Sequence, residues 1–446
     1  PGATAICTAL GTRWAGAGAL GAALLWPVFA VLATFALYHL VAPLSGARAA
    51  TGAAVLLNLL PSFNEATVSP TCVLPLTMFA LGFAACAWRA LDSSSLAWWL
   101  GAGFCAAGGL LFDYLAWFFL PALAVVMLAS HRWRSGLWEP GFWLASVLPL
   151  AVFAWLLLWN SHHDWVHFIG GTWQTATTLD LSRLPGGLYD AALAVSPFVL
   201  VALAAGLLFA LREVRAARRA KFLAIPALVA GAAALYLGLR GEPAQAAGLV
   251  AAALSIPLLA WLPCAPGLLP LVFVGAAGWT ALTTGLTRAS APAVTREIVQ
   301  EIEALRIAET TDPGPPVFLI ARDAPLASAL ALHLPDTSFV TPGHPPVFVI
   351  QSPYADSQYA LWPRYDQFVD APAPAREKAP DPFTEQDGSN PFLWGSALYI
   401  TTQKPDELPQ AVTAAFASHR LIAEISTTAG GVLRVYLCSE YETLPL

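Results

Sequence analysis

The stretch EPGFWLASVLPLAVFAWLLLWNSHHDWVHF, residues 139–168, passes directly from an apolar run into a polar cluster. Residues 141–159 hold no charged side chain, and a helix of about 20 apolar residues is long enough to cross the hydrocarbon core of a bilayer. The next residues, NSHHD (160–164), carry an amide, a hydroxyl, two imidazoles and a carboxylate. The stretch therefore predicts a membrane helix that ends in a polar site at the membrane surface.

The composition of the whole chain also indicates a membrane protein. Of its 446 residues, 57% are hydrophobic and 11% are charged, and the mean hydropathy is +0.62. A soluble globular protein carries about 25% charged residues. Residues 1–286 contain nine acidic and twelve basic side chains, whereas residues 287–446 contain nineteen and ten. We therefore predict a transmembrane domain over 1–286 and a water-soluble domain over 287–446.

Apolar runs of sufficient length predict about ten membrane helices in the first domain. The predicted spans lie near 19–43, 50–62, 71–90, 139–159, 192–211, 222–238, 246–262 and 267–286. Residues 97–130 are long enough for two further helices, broken at Asp113, and the shorter span 50–62 ends at Pro61. The predicted fold class is mainly α, a polytopic transmembrane helical bundle.

The distribution of charge predicts the orientation of this bundle. The loop LREVRAARRAK (211–221) carries five basic residues, which places it in the cytoplasm because cytoplasmic loops are enriched in Lys and Arg. Alternation of the spans then puts nine of the twelve basic residues inside and six of the nine acids outside. The polar segments of the first domain converge on the outer face, and residues 287–446 are predicted to be extracytoplasmic.

The second domain has the pattern of a small α/β layer, in which short apolar strands alternate with helices. The predicted strands are 316–322, 397–402 and 432–438, and the predicted helices are 296–309, 323–334 and 406–419. Residues 351–393 are predicted to form a long loop. TTAGGVLR (427–434) lacks the Lys and the following helix of a phosphate-binding loop, so it predicts a hairpin turn. The six cysteines show no spacing that indicates a zinc site or a disulfide framework.

The outer face of a membrane restricts the chemistry that its polar residues can perform. ATP and nucleotide sugars stay in the cytoplasm, so an activated donor on this face has to be attached to a lipid. An Arg can bind a phosphate through two hydrogen bonds, and an Asp or Glu can accept the proton of an acceptor hydroxyl. A His beside a carboxylate can hold a divalent metal. The residue types at the outer face therefore fit a transfer reaction from a lipid-linked phosphate.

The segment WNSHHDWVHF (159–168) resembles the W-N-x-Q-H-D-W-x-S-F signature of bacterial integral-membrane glycosyltransferases. These are the dolichyl-phosphate-mannose–protein mannosyltransferase-like proteins, which are related to the lipid A aminoarabinose transferases. Further segments resemble motifs of the same family in the same order: PGATAICTALGTRWAG (1–16), SPTCVLPL (69–76), LLFDYLAWFFLPAL (110–123), LRGEPAQAAGL (239–249) and SQYALWP (357–363).

This resemblance implies a GT-C architecture, a helical membrane bundle with an appended extracytoplasmic α/β domain. It also implies transfer of a hexosyl or pentosyl group, with inversion, from a polyprenyl-phosphate donor to a lipid, glycan or protein. The reaction would take place at the outer face of a bacterial cytoplasmic membrane. Membrane lipids are expected partners and nucleic acid is not. The alternatives are a membrane transporter and a catalytically inactive scaffold of the same fold.

The resemblance and the polar segments together select the candidate site residues. The candidate catalytic residues are Asp113, Glu65 and Asp164, and the candidate substrate-binding residues are His163, Tyr114, Arg183, Arg240 and Glu242. His163 and Asp164 are also the candidate ligands of a divalent metal cation. Each has a structural alternative, as a polar residue that anchors a helix end, caps a helix or faces solvent.

Departures from the family pattern bear on activity. Thr71 stands where the family has the Asp of T-P-D, and Asp113 stands where it has the Lys of K-Y. The family's acidic first external loop has no counterpart in the sequence given. These departures predict either a fragment of an active enzyme or a divergent, inactive copy. The opening at Pro1, inside a family motif, favours a fragment.

Overall fold

The structure is a computed structural model of the chain, and it divides into two compact units. Among the described residues, the first unit ends at Leu286 and the second begins at Thr287, and Trp165 groups with the second. The structure describes residues 2–16, 19–163, 165, 181–212, 217–240, 244–261, 265–287, 294–310, 317–334, 344–350, 359, 362–366, 369–370, 388–389, 392–404, 408–427 and 431–442.

The first unit is built from helices, as its apolar runs predict. They are α1 (Ala3–Ala15), α2 (Ala19–Ala23), α3 (Trp26–Ser45), α4 (Ala47–Asn58), α5 (Pro61–Val68), α6 (Val73–Ser93), α7 (Leu96–Phe112), α8 (Phe119–Leu128), α9 (Pro140–Ser161), α10 (Leu184–Val195), α11 (Pro197–Arg212), α12 (Ala217–Arg240), α13 (Gln245–Ser255) and α14 (Ala265–Thr287). Short 3-10 turns at 114–118, 134–138, 181–183 and 256–261 connect some of them.

Among the described residues, four helical segments are long and apolar enough to cross a membrane. They are Leu20–Ser45, Val73–Ser93, Pro140–Ser161 and Lys221–Arg240. A fifth crossing is formed if Leu181–Val195 and Pro197–Phe209, bent by 101°, count as one broken span. Four further apolar helices of 10–17 residues fall in the predicted spans 97–130, 246–262 and 267–286, and none of them falls in the predicted span 50–62. The chain is a multi-pass membrane protein, and the predicted fold class is confirmed.

Helix ends are predicted at Asp113 and at Pro61, and the structure confirms the first but not the second. The predicted break at Asp113 is confirmed, because α7 ends at Phe112 and Asp113 has extended backbone angles (φ −154°, ψ 139°). Pro61, however, does not end the preceding helix. Helix α4 already ends at Asn58, and Pro61 begins α5, a position where proline is favourable because its missing N–H is not needed.

Helices α7 and α9 pack at unusually close range through small residues. A Cβ added to Gly103 on α7 would overlap the backbone carbonyl of Ala145 on α9. Helices α6 and α7 approach through two glycines, because the site of a Cβ on Gly82 lies 3.1 Å from the Cys105 sulfur and that on Gly101 lies 3.1 Å from the Cys86 sulfur. Small residues at such crossings allow membrane helices to gain van der Waals contact. This packing fixes the relative positions of α6, α7 and α9.

Arginines satisfy helix carbonyls at the end of the bundle where α3, α6 and α8 terminate. Arg219 donates to the carbonyl of Leu44 at 2.8 Å, and Arg134 donates to the carbonyl of Leu128 at 2.7 Å. Arg89 lies 4.6 Å from the ring centroid of Trp98. Basic side chains are favourable at helix C-termini because they bind the last carbonyls. We refer to this as the arginine end of the bundle, and its cytoplasmic placement stays a prediction.

The second unit contains a five-stranded mixed sheet between two apolar clusters. The strand order is β2 (Phe348–Val349), β1 (Phe318–Ala321), β5 (Ala397–Thr401), β7 (Val432–Tyr441), β6 (Phe416–Ser426). Strand β1 is parallel to β2 and β5, whereas β5, β7 and β6 pair antiparallel. A second small sheet pairs β3 (Val369–Asp370) with β4 (Gly388–Ser389). The predicted strands near 316–322, 397–402 and 432–438 are confirmed.

The helices of this unit are only partly as predicted. Helix α15 (Arg296–Glu309) and helix α16 (Ala324–Ala331) are confirmed, and the Asp323 side chain caps α16 by accepting a hydrogen bond from the Leu326 amide at 3.0 Å. The predicted hairpin at TTAGGVLR is also confirmed, since β6 and β7 pair antiparallel up to Ser426 and Val432.

The predicted helix over 406–419 is wrong. Only α17 (Gln410–Thr413) is helical in its described part, and Phe416 begins strand β6. Phe416 is buried against Phe318 and Tyr441. Pairing with the edge of β7 and burial in an aromatic cluster therefore override the helix preference of this alanine-rich segment.

Candidate functional site

Asp113 lies in the break between α7 and the 3-10 turn Tyr114–Phe118 and is half-buried. One carboxylate oxygen, Oδ1, accepts a hydrogen bond from the Leu115 amide at 2.8 Å and so caps the turn. The other, Oδ2, accepts from the thiol of Cys72 at 3.2 Å. A carboxylate has about four lone-pair positions, so both oxygens keep capacity for a further partner. Asp113 can therefore serve as a cap and still accept a proton.

Tyr114 is joined to the end of helix α9 by a side-chain hydrogen bond. The amide nitrogen Nδ2 of Asn160 donates to the Tyr114 hydroxyl oxygen at 3.0 Å and to the Leu156 carbonyl at 2.8 Å. Asn160 is completely buried, and its oxygen Oδ1 has no hydrogen-bond partner within the part of the chain that the structure describes. This contact connects the break after α7 with the last turn of α9.

His163 follows two residues after the last residue of α9 and stacks on the final turn of that helix. Its ring lies 4.0 Å from the ring of Trp159, nearly parallel at 11°, and its Nδ1 lies 2.8 Å from the Trp159 carbonyl oxygen. A carbonyl oxygen only accepts, so Nδ1 carries the proton that it donates there. In a neutral ring, Nε2 is then the nitrogen that can accept.

These contacts place five residues at the same end of the bundle, opposite the arginine end. Helix α6 begins at Val73, whereas α7 ends at Phe112 and α9 ends at Ser161. The loop before α6 and the ends of α7 and α9 therefore meet. We call this group the polar end, and it consists of Cys72, Asp113, Tyr114, Asn160 and His163.

The remaining candidates lie on other elements. Glu65 is exposed and lies in helix α5, which begins at Pro61, and not in a loop after the preceding span as the apolar pattern indicates. Arg183 is exposed at the start of α10. Arg240 ends α12, where its guanidinium donates to the Tyr236 hydroxyl at 3.2 Å. Among the described residues, no hydrogen bond joins the Glu65 side chain to a residue of the polar end.

Two candidates, Asp164 and Glu242, lie outside the described residues. Asp164 is half of the predicted metal site. Among the described residues there is no group of three His, Cys, Asp or Glu side chains placed to hold a metal ion. His163 offers one nitrogen, Nε2, for such a role. The described residues therefore do not form a complete ligand set, and we derive no reaction step through a metal.

Comparison with known proteins agrees with the layout of the first unit. Residues 1–159 match the family model described as dolichyl-phosphate-mannose-protein mannosyltransferase. The crystal structure of ArnT from Cupriavidus metallidurans in the apo state is similar over 97% of this chain and 86% of that chain, with 17% identity and a TM-score of 0.61.

The same protein bound to undecaprenyl phosphate is similar over 98% of this chain and 87% of that chain, with 17% identity and a TM-score of 0.63. The fold is GT-C-like and matches that of these two structures. The resemblance predicted from the sequence motifs is thereby confirmed. No curated protein sequence matches the chain.

Two residues of the polar end of this GT-C fold were not among the sequence candidates. Cys72 contacts Asp113 across 41 positions, and Asn160 contacts Tyr114 across 46 positions. For Asn160 a signal existed, because a buried amide in the last turn of an apolar helix needs partners. For Cys72 no local signal existed, since a cysteine beside an apolar run usually behaves as a small apolar residue.

Proposed function

We propose that the chain transfers a hexosyl or pentosyl group, with inversion, from a polyprenyl-phosphate donor to a lipid, glycan or protein acceptor. We place the reaction at the polar end of the bundle, on the outer face of a bacterial cytoplasmic membrane, with the second unit extracytoplasmic. One observation carries the proposal: within a GT-C fold, a carboxylate, a phenol and an imidazole meet at the same end of the membrane helices. A solved structure of the same fold was obtained with undecaprenyl phosphate.

The proposed reaction is a single displacement at the anomeric carbon of the donor sugar. The acceptor hydroxyl loses its proton to Asp113 and forms the new glycosidic bond, while the bond between the sugar and the phosphate breaks. Polyprenyl phosphate leaves with the bonding electron pair. General-base catalysis of this kind contributes about 10²- to 10⁴-fold to the rate.

The other candidate residues have supporting roles in this proposal. The Tyr114 hydroxyl donates to the phosphate as negative charge develops on it, and His163 is a further proposed contact of the donor. Arg183, Arg240 and Glu242 are proposed contacts of the donor, and Glu65 is the alternative base. A divalent cation held by His163 and Asp164 stays a prediction, which a comparison of activity before and after treatment with a chelator tests.

Purified protein in lipid nanodiscs tests the proposed function. With undecaprenyl-phosphate donors that carry radiolabelled hexoses or pentoses, we expect label to leave the donor lipid and undecaprenyl phosphate to accumulate. Heat-inactivated protein in the same nanodiscs is the control. Turnover of no donor in either sugar class would contradict the proposal and support an inactive scaffold. Movement of intact donor across sealed proteoliposomes without chemical change would support a transporter.

A further inference from the structure

The side-chain amide of Asn160 has an orientation that its contacts determine. Its Nδ2 lies 2.8 Å from the Leu156 carbonyl oxygen and 3.0 Å from the Tyr114 hydroxyl oxygen. A backbone carbonyl can only accept, so the atom that contacts both groups has to be the NH₂ group. Its two hydrogens are then used by these two acceptors. The Tyr114 oxygen is therefore an acceptor toward Asn160.

This arrangement controls where the phenol hydrogen of Tyr114 can go. Because Asn160 donates to the oxygen, the O–H hydrogen has to be directed toward an acceptor other than Asn160. Tyr114 also directly follows Asp113, the residue at the break that ends α7. Asn160 thus leaves the phenol to act as a donor toward a different acceptor.

The same contact is unfavourable for stability when considered alone. Asn160 is 0% exposed, and its Oδ1 has no hydrogen-bond partner among the described residues. A buried polar atom without a partner costs free energy, and an apolar side chain of similar volume would avoid that cost. The packing of α9 does not account for a polar side chain at this position. Its hydrogen bond to Tyr114 at the polar end does.

We propose that Asn160 is a positioning residue that fixes the Tyr114 hydroxyl as a hydrogen-bond donor to the phosphate of a polyprenyl-phosphate lipid. This inference rests on the proposed function, because the phosphate is that of the proposed donor. Asn160 itself makes no contact with the substrate. It acts only through Tyr114, and this restriction makes the proposal testable by a double-mutant cycle.

Asn160→Asp reverses the polarity of the contact. A carboxylate only accepts, so it takes the Tyr114 hydrogen and removes it from the phosphate. We expect Asn160→Asp and Tyr114→Phe each to weaken the binding of undecaprenyl phosphate by about ten-fold or more, the effect of losing a hydrogen bond to a charged group. In the Tyr114→Phe background, Asn160→Asp should cause no further loss. Native mass spectrometry of the full chain in detergent measures all four affinities.

Asn58 supplies a matched control. Its Nδ2 donates to the carbonyl four residues earlier, that of Ala54, and to a hydroxyl on a neighbouring helix, that of Thr34, both at 2.9 Å. Asn58→Asp should leave the affinity unchanged. If Asn160→Asp does not fold, Asn160→Leu is used, which should fold with unchanged stability and also lose affinity only when Tyr114 is present.

The outcomes separate this inference from the proposed function. An additive loss in the double variant, as expected from simple charge repulsion or a structural defect, overturns the inference. Wild-type affinity in Asn160→Asp and Asn160→Leu also overturns it. If the wild-type protein binds undecaprenyl phosphate and the cycle is non-additive but no sugar is transferred, the proposed function fails and the inference stands. Absence of binding by the wild-type protein contradicts both.

Discussion

Replacing Asp113 with asparagine should reduce sugar transfer by about 10²- to 10⁴-fold, the usual contribution of a general base. The substitution removes the negative charge of the side chain but keeps its shape. The asparagine oxygen can still accept the Leu115 amide hydrogen bond that Asp113 accepts at 2.8 Å, so the cap of the 3-10 turn is kept. What is lost is the negative charge and the ability to take a proton. The rate of donor turnover in nanodiscs, measured with saturating donor and acceptor, is the readout.

The structure also allows Asp113 to be only a cap, and the controls distinguish this role. Asp113→Ala removes the cap and should lower stability by about 1 kcal/mol in addition to the loss of transfer. Cys72→Ala removes the second partner of the carboxylate but leaves the base in place, so it should retain most of the transfer rate. Wild-type turnover in Asp113→Asn would reduce Asp113 to a structural residue and leave Glu65 or Asp164 as the base.

Replacing Gly103 with alanine should destabilise the membrane unit by about 1–3 kcal/mol, the cost of overpacking a close contact. The added Cβ would overlap the Ala145 carbonyl, which is backbone and cannot turn away. Helices α7 and α9 therefore have to separate. Tyr114 lies two residues after the end of α7, and it accepts a hydrogen bond at 3.0 Å from Asn160 in the last turn of α9. Donor turnover should therefore fall together with the melting temperature.

Gly248 is the matched control for this substitution. It lies within helix α13, and a Cβ added to it would meet no atom within 4 Å. Gly248→Ala should therefore leave the melting temperature unchanged or raise it slightly, because alanine is the better helix former by about 1 kcal/mol. The melting temperatures of the two variants are measured in detergent, with the loss of monomeric protein as the signal. Equal stability of both variants would show that α7 and α9 do not pack as described.

Some features of the fold follow directly from local sequence. The break at Asp113 was predictable because a single carboxylate interrupts an apolar run of residues 97–130, and an acid in a membrane helix is costly unless it lies near an end. The strands near 316–322 and 432–438 were predictable because their apolar runs are short and bounded by turn residues. In each case the residues that form the break or the strand are the same residues whose sequence pattern predicts it.

Other features depend on contacts between distant segments, and no pattern in the local sequence predicts them. The helix expected over 406–419 is replaced from Phe416 onward by a strand, because the edge of β7 is available for pairing. Likewise, the polar neighbours of Asn160 are visible in the sequence, but its contact with Tyr114 joins residues 46 positions apart. A side chain whose function lies in the polarity of one tertiary hydrogen bond cannot be recognised from its own surroundings in the sequence.

The binding position of the lipid phosphate provides the most direct test of the central claim. Undecaprenyl phosphate with a diazirine on its first isoprene unit, next to the phosphate, can be photo-crosslinked to the protein in nanodiscs and the modified peptides identified by mass spectrometry. We expect crosslinks within residues 69–72 and 113–118, at the polar end. Crosslinks confined to the arginine end, around Arg89 and Arg219, would contradict it.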